Sequence, residues 1–282
     1  MTPKRVAVVG GHGKTGRAVS AALRRHGVSA RPLGRAELAD PVDSFHGCDA
    51  LYLMAPNMYP DEPAFIRDLL KACATAKVPK VVYHSVAMPY APTMPHHMGK
   101  VMSEDLVRHL PVPWTILQPG PYIQNFLPAL RSSPPTLDQP YDVTRPFGFV
   151  DLDDVAEAAA RALLDSRHDG ATYELGGPAQ MSVSDVAHIA ADVLGTDVSA
   201  ARIDPATWSA GQGATLEPRV RDWLLAMFDY YDHHGLLCGS VPLEALLGRK
   251  STTIRAALHR ELRASPAAWQ HLPKNDDCVG LS

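Results

Sequence analysis

The 282-residue sequence has little cysteine and lacks long hydrophobic runs, and each shortage argues against a class of protein. Its four cysteines, Cys48, Cys73, Cys238 and Cys278, show no CxxC spacing, so we expect reduced thiols in a cytoplasmic protein rather than a disulfide scaffold. No apolar run approaches the roughly twenty residues that span a bilayer, so we expect no membrane partner. The first predicted strand begins almost at once, so we also expect no secretory signal peptide.

An excess of charge of one sign is also missing. Lysine and arginine number 27 against 30 acidic residues, and no basic tract points to a nucleic-acid partner. Histidine, cysteine and acidic residues nowhere show convincing zinc spacing, so we predict no metal site. The hydrophobic fraction of 46% suffices for one large domain, or for a domain with a smaller partner, as a monomer or a homodimer.

A glycine-rich stretch near the start of the chain carries the clearest motif. Residues 4–9 form a short β-branched run, Gly10, Gly13 and Gly16 follow at GxxGxxG spacing, and a helical pattern comes next. In a dinucleotide-binding fold these glycines permit a tight turn, close approach to a pyrophosphate and close packing of the helix, whose N-terminus faces the phosphates. The candidate cofactor contacts in this loop are Gly10, His12, Gly13, Lys14, Thr15 and Gly16.

Two other interpretations of this loop exist. The run Gly13-Lys14-Thr15 looks like the end of a Walker A loop, but that loop needs a glycine where this sequence has Val8. The other alternative is a glycine-rich turn that binds no ligand. The position of the loop, between the first strand and a helix, favours dinucleotide binding.

The second predicted strand, residues 28–33, bears on the choice of cofactor. Many dinucleotide-binding folds place an acid near its end to bind the adenosine ribose. Here no acid appears before Glu37, and Arg31 and Arg35 occupy the stretch. Arginine suits a 2′-phosphate, so we predict NADP(H) rather than NAD(H), the alternative being that both arginines are solvated surface residues.

Strands and helices alternate along much of the chain, which predicts a parallel sheet covered on both faces. The predicted strands are residues 4–9, 28–33, 49–54, 80–84, 114–117 and 172–175, and the predicted helices include 60–76, 98–109, 153–164, 219–231 and 252–262. Five prolines make residues 122–146 a predicted long loop. Ligands in such sheets bind beyond the carboxyl ends of the strands, here at Gly10, Arg35, Ala55, Ser85 and Pro119.

We therefore predict an α/β fold, a Rossmann doubly wound parallel sheet with a smaller, mostly helical C-terminal substrate-binding part. Residues 1–150 would form the NADP-binding domain. Residues 151–282 would return one helix and one strand to the Rossmann core before forming the smaller part.

Several motifs together resemble one protein family. They are GGHGKTGRAV, VVYHSVA, HHMGKVMSEDLV, WTILQPGPYIQNF, FVDLDDVAEAAARAL, TYELGGPAQMSVSDVAHIAADVLG and LLGRKSTT, in that order from residue 10 onward. Their ordered occurrence resembles the NmrA-like proteins, atypical members of the short-chain dehydrogenase/reductase superfamily. The resemblance implies a Rossmann domain with a small helical part. Known members include NADPH-dependent quinone and ketone reductases, benzylic ether reductases and redox-sensing regulators.

The resemblance also assigns individual residues. The three loop glycines match the cofactor loop, Arg35 matches the 2′-phosphate arginine, and Ser85 matches the serine after the fourth strand. Lys100 matches the lysine of the YxxxK motif, whose tyrosine is missing here, because His96 stands four residues before Lys100 and His97 follows it. This departure removes the usual proton donor of the superfamily.

The missing tyrosine matters because hydride arriving at a carbonyl carbon leaves negative charge on oxygen, which must be stabilised and protonated. Lys100 can still hold the ribose of the nicotinamide half. The donor is left open among His96, His97, Tyr122, Ser85 and water, and a quinone acceptor would need no dedicated acid. The two histidines are alternatively solvated loop residues, and Ser85 alternatively only caps a helix or bonds to backbone.

The leading hypothesis is an NADPH-dependent reductase of a small-molecule ketone or quinone, with an aromatic metabolite as one candidate acceptor. The alternatives are an NADP(H)-sensing regulator with little or no catalysis, and a non-redox lyase or cyclase on the same scaffold. The predicted catalytic residues are Ser85, Lys100, His96 and Tyr122. Further cofactor contacts are predicted at Arg31, Arg35, Ala55, Pro56, Ser85, Lys100, Pro119 and Tyr122, and substrate contacts at Met88, His97, Tyr122, Asn125 and Phe126.

Overall fold

The computed structural model describes residues 3–263 and divides the chain into two compact units. The first unit is assembled from three stretches, residues up to 119, residues 152–175 and residues 241–250. Among the described residues, the second unit comprises residues 120–151, residues 176–240 and residues 251–263. Each unit is therefore discontinuous in sequence.

A parallel six-stranded sheet forms the centre of the first unit, as far as the described residues show. Its strands are β1 Arg5–Val9, β2 Ser29–Leu33, β3 Ala50–Leu53, β4 Val81–His84, β5 Trp114–Pro119 and β6 Ala171–Leu175. Their order is β2-β1-β3-β4-β5-β6, and Val6 of β1 lies between Ala30 of β2 and Ala50 of β3. The strand order reverses at β1, and ligands bind at the carboxyl ends of strands beside such a switch point.

Helices flank this sheet, and further helices lie in the second unit. The α-helices of the described residues are α1 Lys14–Arg25, α2 Pro41–Phe45, α3 Glu62–Thr75, α4 Pro95–Arg108, α5 Leu127–Leu130, α6 Leu152–Leu164, α7 Val183–Leu194, α8 Pro205–Ala210, α9 Pro218–His234, α10 Val241–Leu247 and α11 Ile254–Arg263. In the first unit α1 packs against α6, and α3 packs against α4. The sheet strands β3 and β4 are buried along their whole length, as expected for a parallel sheet that helices cover on both faces.

Local sequence signals explain where several helices begin. The Asp61 side chain accepts a hydrogen bond from the Ala64 N–H at the start of α3. Ser182 and Asp185 form a reciprocal capping box at the start of α7, and Gly195 ends that helix in the left-handed conformation. These contacts satisfy backbone groups that a helix terminus otherwise leaves without partners.

The second unit has an aromatic core and a buried polar cluster. Tyr141, Phe147 and Tyr231 pack with ring centroids 5.4 to 5.6 Å apart. The Arg260 guanidinium donates to both carboxylate oxygens of Asp151 at 2.9 and 2.8 Å and to Glu261 at 2.9 Å. Arg260 thus offsets the charge of two buried carboxylates within this unit.

The sequence predictions of the sheet and of most helices are confirmed, with boundaries that shift by a few residues. Two boundaries differ by three residues, the end of α9, at His234 rather than 231, and the start of α4. The helix α4 begins at Pro95 rather than Met98, because proline is accepted in the first helical turn, where its missing N–H costs nothing. The predicted loop 122–146 contains a 3₁₀ turn, Ile123–Phe126, and the short helix α5. The chain also leaves the first unit at residue 119, not at residue 150.

Two expectations from composition concern thiols and membranes. Cys48, Cys73 and Cys238 are free and buried, whereas Cys278 lies outside the described residues. Burial raises the pKa of Cys73 to about 11. Within residues 3–263, every helix falls short of the length and apolar character required to cross a membrane.

Candidate functional site

The glycine loop joins the carboxyl end of β1 to the start of α1. Gly10 has a φ of +71°, which favours glycine, and its carbonyl accepts the Gly13 N–H at 3.0 Å. A Cβ on Gly16 would lie 2.2 Å from the Gly10 carbonyl oxygen, so the helix approaches the loop as closely as the third glycine of the motif predicts. The loop therefore has the tight turn and the close helix packing that the GxxGxxG spacing implies.

Gly13 differs from the other two glycines of the motif. Its φ is −77°, a value open to any residue, and a Cβ there would meet only the Gly10 carbonyl oxygen at 3.4 Å. Neither the backbone conformation nor a clash within the described residues therefore requires a glycine at position 13. Space beside the Gly13 backbone fits the approach of a ligand.

The N-terminus of α1 suits an anion. Gly13 is its N-cap, the described residues supply no side-chain cap, and the first turn contains no acidic residue. A helix N-terminus carries partial positive charge and directs N–H groups outward, the usual setting for a bound phosphate. Lys14 and the buried Thr15 follow in the first turn. These observations fit a dinucleotide pyrophosphate at this end of the sheet.

Gly11 is a position that the motif did not single out. A Cβ on Gly11 would lie 2.5 Å from the Pro32 Cα and 2.7 Å from the Val8 carbonyl oxygen. Its N–H also donates to the Leu33 carbonyl at 3.1 Å. Gly11 thus lets the loop lie directly against β2. This need for glycine becomes visible only once β2 is known to lie beside β1.

The carboxyl end of β2 carries charges of both signs. Arg31 lies within β2 and donates to the Asp43 carbonyl at 3.4 Å, whereas Arg35 lies beyond the strand and is exposed. The Glu37 carboxylate accepts the Gly34 N–H at 2.7 Å and lies 3.4 Å from His12 Nε2. The Gly34 N–H holds the pKa of Glu37 below its usual value. The structure therefore brings an acid to the strand end, a proximity that its sequence position did not predict.

Lys100 and His96 occupy the buried face of α4. The Lys100 ammonium lies 2.9 Å from Glu62 Oε1, and the two side chains are only 5% and 2% exposed. His96 and His97 are each 2% exposed, so the alternative that they are solvated loop residues is wrong. They are buried because α4 begins at Pro95 and turns its first-turn side chains inward.

The ionisation of His96 follows from this burial. Burial lowers the pKa of His96 well below its usual value, and the nearby Lys100 charge lowers it further. A histidine in this setting is neutral near pH 7. The Nε2 atom of His96 is buried and has no hydrogen-bond partner among the described residues.

Glu62 is a functional candidate that sequence reasoning missed. Its Oε1 accepts the Tyr83 hydroxyl at 2.6 Å as well as Lys100, while its buried Oε2 has no partner within residues 3–263. Burial raises the pKa of Tyr83, and the Glu62 charge raises it further. Glu62 looks like an ordinary first-turn acid of α3, so its sequence position gives no signal of this cluster.

Ser85 is held by a second buried carboxylate. The Ser85 hydroxyl donates to Glu104 Oε1 at 2.6 Å, and the Gln118 amide donates to the same oxygen at 2.7 Å. Arg108 donates to Glu104 Oε2 at 3.2 Å. The Ser85 hydroxyl therefore joins the end of β4 to α4 through a side-chain carboxylate, rather than through the helix cap or backbone bond of its alternative role.

The loop after β4 is tied to α4 through His97. The Met88 carbonyl accepts a hydrogen bond from His97 Nδ1 at 3.0 Å, and Met88 has a φ of +53°. Burial lowers the pKa of His97 to about 4. His97 is thus a neutral side chain near pH 7 that fixes the backbone of the predicted substrate residue Met88.

The remaining predicted residues fall in both units. Ala55 and Pro56 follow β3, and Pro119 ends β5, so all three lie at carboxyl ends of strands in the first unit. The predicted Tyr122, Asn125 and Phe126 belong to the second unit. Tyr122 is 1% exposed, and the Phe126 ring lies 5.2 Å from that of Phe149. The roles assigned to these residues stay predictions.

Comparison with known proteins identifies the family. The sequence model of the NmrA-like family matches residues 37–256 of this chain. This chain belongs to the NmrA-like family. The glycine loop precedes the matched range, so the loop assignment depends on the geometry given above.

Three relatives illustrate what this NmrA-like protein is similar to. An NAD(P)H azoreductase of Xenophilus azovorans is 28% identical over 148 residues, which span half of each chain. The NADPH-dependent quinone oxidoreductase of Escherichia coli, solved with NADPH, has a TM-score of 0.77 at 19% identity and covers 91% of this chain and 99% of its own. NmrA, a negative transcriptional regulator solved with NADP, has a TM-score of 0.74 at 17% identity and covers 92% and 95%. At these identities the two solved structures establish the fold.

Proposed function

We propose that this NmrA-like protein is an NADPH-dependent oxidoreductase that transfers hydride to a small-molecule acceptor. The glycine loop carries the proposal, because its turn, its close helix packing and the acid-free N-terminus of α1 suit a dinucleotide pyrophosphate. The azoreductase and quinone reductase relatives support the reductase class. When bound, reduced nicotinamide supplies the hydride.

Residues of the first unit would hold this cofactor. The loop from Gly10 to Gly16 would receive the pyrophosphate, and the exposed Arg35 beyond β2 would pair with a 2′-phosphate. Lys100 is proposed at the nicotinamide ribose because it matches the family lysine. Its ion pair with Glu62 holds the ammonium in one place, which limits the cofactor atoms that it can contact.

The protonation chemistry favours a quinone over a ketone. Hydride transfer to a ketone produces a strongly basic alkoxide that needs an acid. A reduced quinone instead carries a phenolate, whose conjugate acid has a pKa near that of tyrosine, about 10. His96 and His97 are neutral and buried, so neither provides a charged acid near pH 7. We therefore propose a quinone, including aromatic metabolites with that group, and water as the source of the proton.

A direct test combines binding with turnover. NADPH affinity is measured by fluorescence titration, and NADPH consumption is followed at 340 nm across matched panels of quinones and aryl ketones. We expect NADPH binding and turnover with quinones exceeding turnover with ketones. Absence of NADPH binding would contradict the proposal, and turnover with ketones alone would contradict the choice of acceptor.

One observation favours a second function. The YxxxK tyrosine is replaced by the neutral, buried His96, and the Lys100 charge is paired with Glu62, so two groups of the usual catalytic set are altered. An NADP(H)-sensing regulator needs cofactor binding without this chemistry, and the solved regulator NmrA shares the fold. NADPH binding with no turnover on either panel would support this alternative.

A further inference from the structure

Three residues from different parts of the first unit meet at the carboxyl end of β2. The Gly34 N–H donates to Glu37 Oε2 at 2.7 Å, and the same carboxylate oxygen lies 3.4 Å from His12 Nε2. A Cβ on Gly34 would lie 2.7 Å from His12 Cδ2 and 3.3 Å from Glu37 Oε2. Gly34 therefore leaves the space in which the Glu37 and His12 side chains lie.

This contact lies beside the loop proposed to bind the cofactor. His12 belongs to that loop, and the Gly11 N–H next to it donates to the Leu33 carbonyl, the last residue of β2. The hydrogen bond from Gly34 favours the charged form of Glu37, and its side chain is 41% exposed. A negative charge is thus fixed between the glycine loop and the end of β2.

The chemistry of the two nicotinamide cofactors differs at this place. In a dinucleotide-binding fold the adenosine ribose lies near the end of the second strand, and its 2′ position carries a hydroxyl in NAD(H) and a phosphate in NADP(H). A carboxylate accepts a hydrogen bond from a hydroxyl but repels a phosphate, whereas the exposed Arg35 attracts a phosphate. Arg35 and Glu37 therefore act in opposite directions.

We propose that Glu37 is a specificity-determining residue that opposes Arg35 and lets the cofactor site accept NADH as well as NADPH. The inference depends on the proposed function, because it requires a cofactor at the glycine loop. It goes beyond that function by assigning the choice between NADH and NADPH to Glu37, an acid that lies beyond the end of β2 rather than within it.

The test measures binding rather than turnover. Dissociation constants for NADPH and NADH are determined by fluorescence titration for the wild type, Glu37→Gln and Arg35→Ala. The control is Asp68→Asn, which removes the same charge from a 72% exposed side chain on α3. Glutamine keeps a carbonyl oxygen for the Gly34 N–H while removing the charge.

We expect the wild-type affinities to differ by less than about tenfold. Loss of one charge-assisted contact at an exposed site corresponds to about a tenfold change. Glu37→Gln should therefore raise the ratio of NADPH to NADH affinity about tenfold, and Arg35→Ala should lower it by a similar factor. Asp68→Asn should leave the ratio unchanged.

The outcomes separate this inference from the proposed function. If both cofactors bind and Glu37→Gln leaves their affinity ratio unchanged, the role of Glu37 is overturned while the oxidoreductase proposal stands. If the wild type binds neither cofactor, the oxidoreductase proposal itself fails. A second measurement on the wild type compares the affinities for 2′,5′-ADP and 5′-ADP. A preference for 2′,5′-ADP above about 100-fold would also contradict the proposal that Glu37 opposes Arg35.

Discussion

The Lys100 ammonium lies 2.9 Å from the Glu62 carboxylate, and both side chains are almost completely buried. The same Glu62 oxygen also accepts the Tyr83 hydroxyl, so one buried carboxylate oxygen serves two polar side chains. In this interior each charge depends on the other, because an unpaired buried ion has lost the solvation of water without compensation. The lysine that the family resemblance assigns to chemistry thus also has a structural partner.

Loss of one member of this pair should destabilise the fold strongly. Glu62→Gln leaves the Lys100 charge buried without its counter-ion, at a cost of about 3–5 kcal/mol in the free energy of unfolding. Adding Lys100→Met removes the stranded charge, so the double variant should be more stable than the sum of the single effects by about 2 kcal/mol. Urea denaturation of the four proteins measures this coupling. Strictly additive effects would show that the ion pair does not form.

Two glycines of the loop should respond differently to alanine. Gly16→Ala places a Cβ 2.2 Å from the Gly10 carbonyl, so it should lower stability by about 2 kcal/mol or more. Gly13→Ala meets nothing closer than 3.4 Å and should change stability by less than about 1 kcal/mol, while weakening NADPH binding about tenfold or more. Thermal unfolding and NADPH titration check both variants. Unchanged NADPH affinity in Gly13→Ala would contradict the proposal that this loop binds the cofactor.

His96 should contribute little as a proton donor. Because burial and Lys100 keep its imidazole neutral, His96→Gln should lower kcat with a quinone by less than about tenfold. The profile of kcat between pH 6 and pH 8 should show no step that disappears in this variant. Steady-state and single-turnover kinetics measure both quantities. A loss of about 100-fold or more would instead identify His96 as the donor.

The burial of His97 should make stability fall in acid. Its pKa is lowered in the folded protein to about 4 from an ordinary value of 6.5, so the unfolded chain binds the proton more readily. Stability from this group is therefore present above pH 6.5 and is lost as the pH falls toward 4. Between pH 7.5 and pH 5 the loss amounts to about 2 kcal/mol.

The matching experiment compares His97→Gln with His109→Gln, an exposed histidine near the end of the same helix. Urea denaturation at pH 7.5 and pH 5 should show a smaller acid loss in His97→Gln than in the wild type, by about 2 kcal/mol. His109→Gln should behave like the wild type. An equal acid loss in all three proteins would contradict the buried, neutral state of His97.

The sequence predicts the sheet well because its strands are short, separated by helical patterns, and bounded in most cases by glycine or proline. It also predicts the glycine loop, because few residues other than glycine allow so close an approach between backbone segments. The start of α4 was missed because a proline reads as a loop signal and also fits a first helical turn. Local pattern cannot separate these two cases.

The partners of the candidate residues were harder to predict than the residues themselves. Glu62, Glu104 and Glu37 meet Lys100, Ser85 and His12 through the fold, from 38, 19 and 25 residues away in sequence. An acid on a helix usually reads as a solvated group, and only the packing of α3 against α4 shows that Glu62 is buried. Charge pairing in the interior is a property of topology and not of spacing.

The discontinuous first unit limits how this protein can be cut for experiments. A recombinant fragment that ends at residue 150 lacks β6, the strand that pairs with β5 from Thr115 to Pro119. It also lacks α6, which packs against α1. The newly exposed strand would present unpaired N–H and C=O groups, a known route to aggregation. Deletion mapping with N-terminal pieces would therefore report on insoluble material, and point substitutions in the intact chain are the suitable way to map its surfaces.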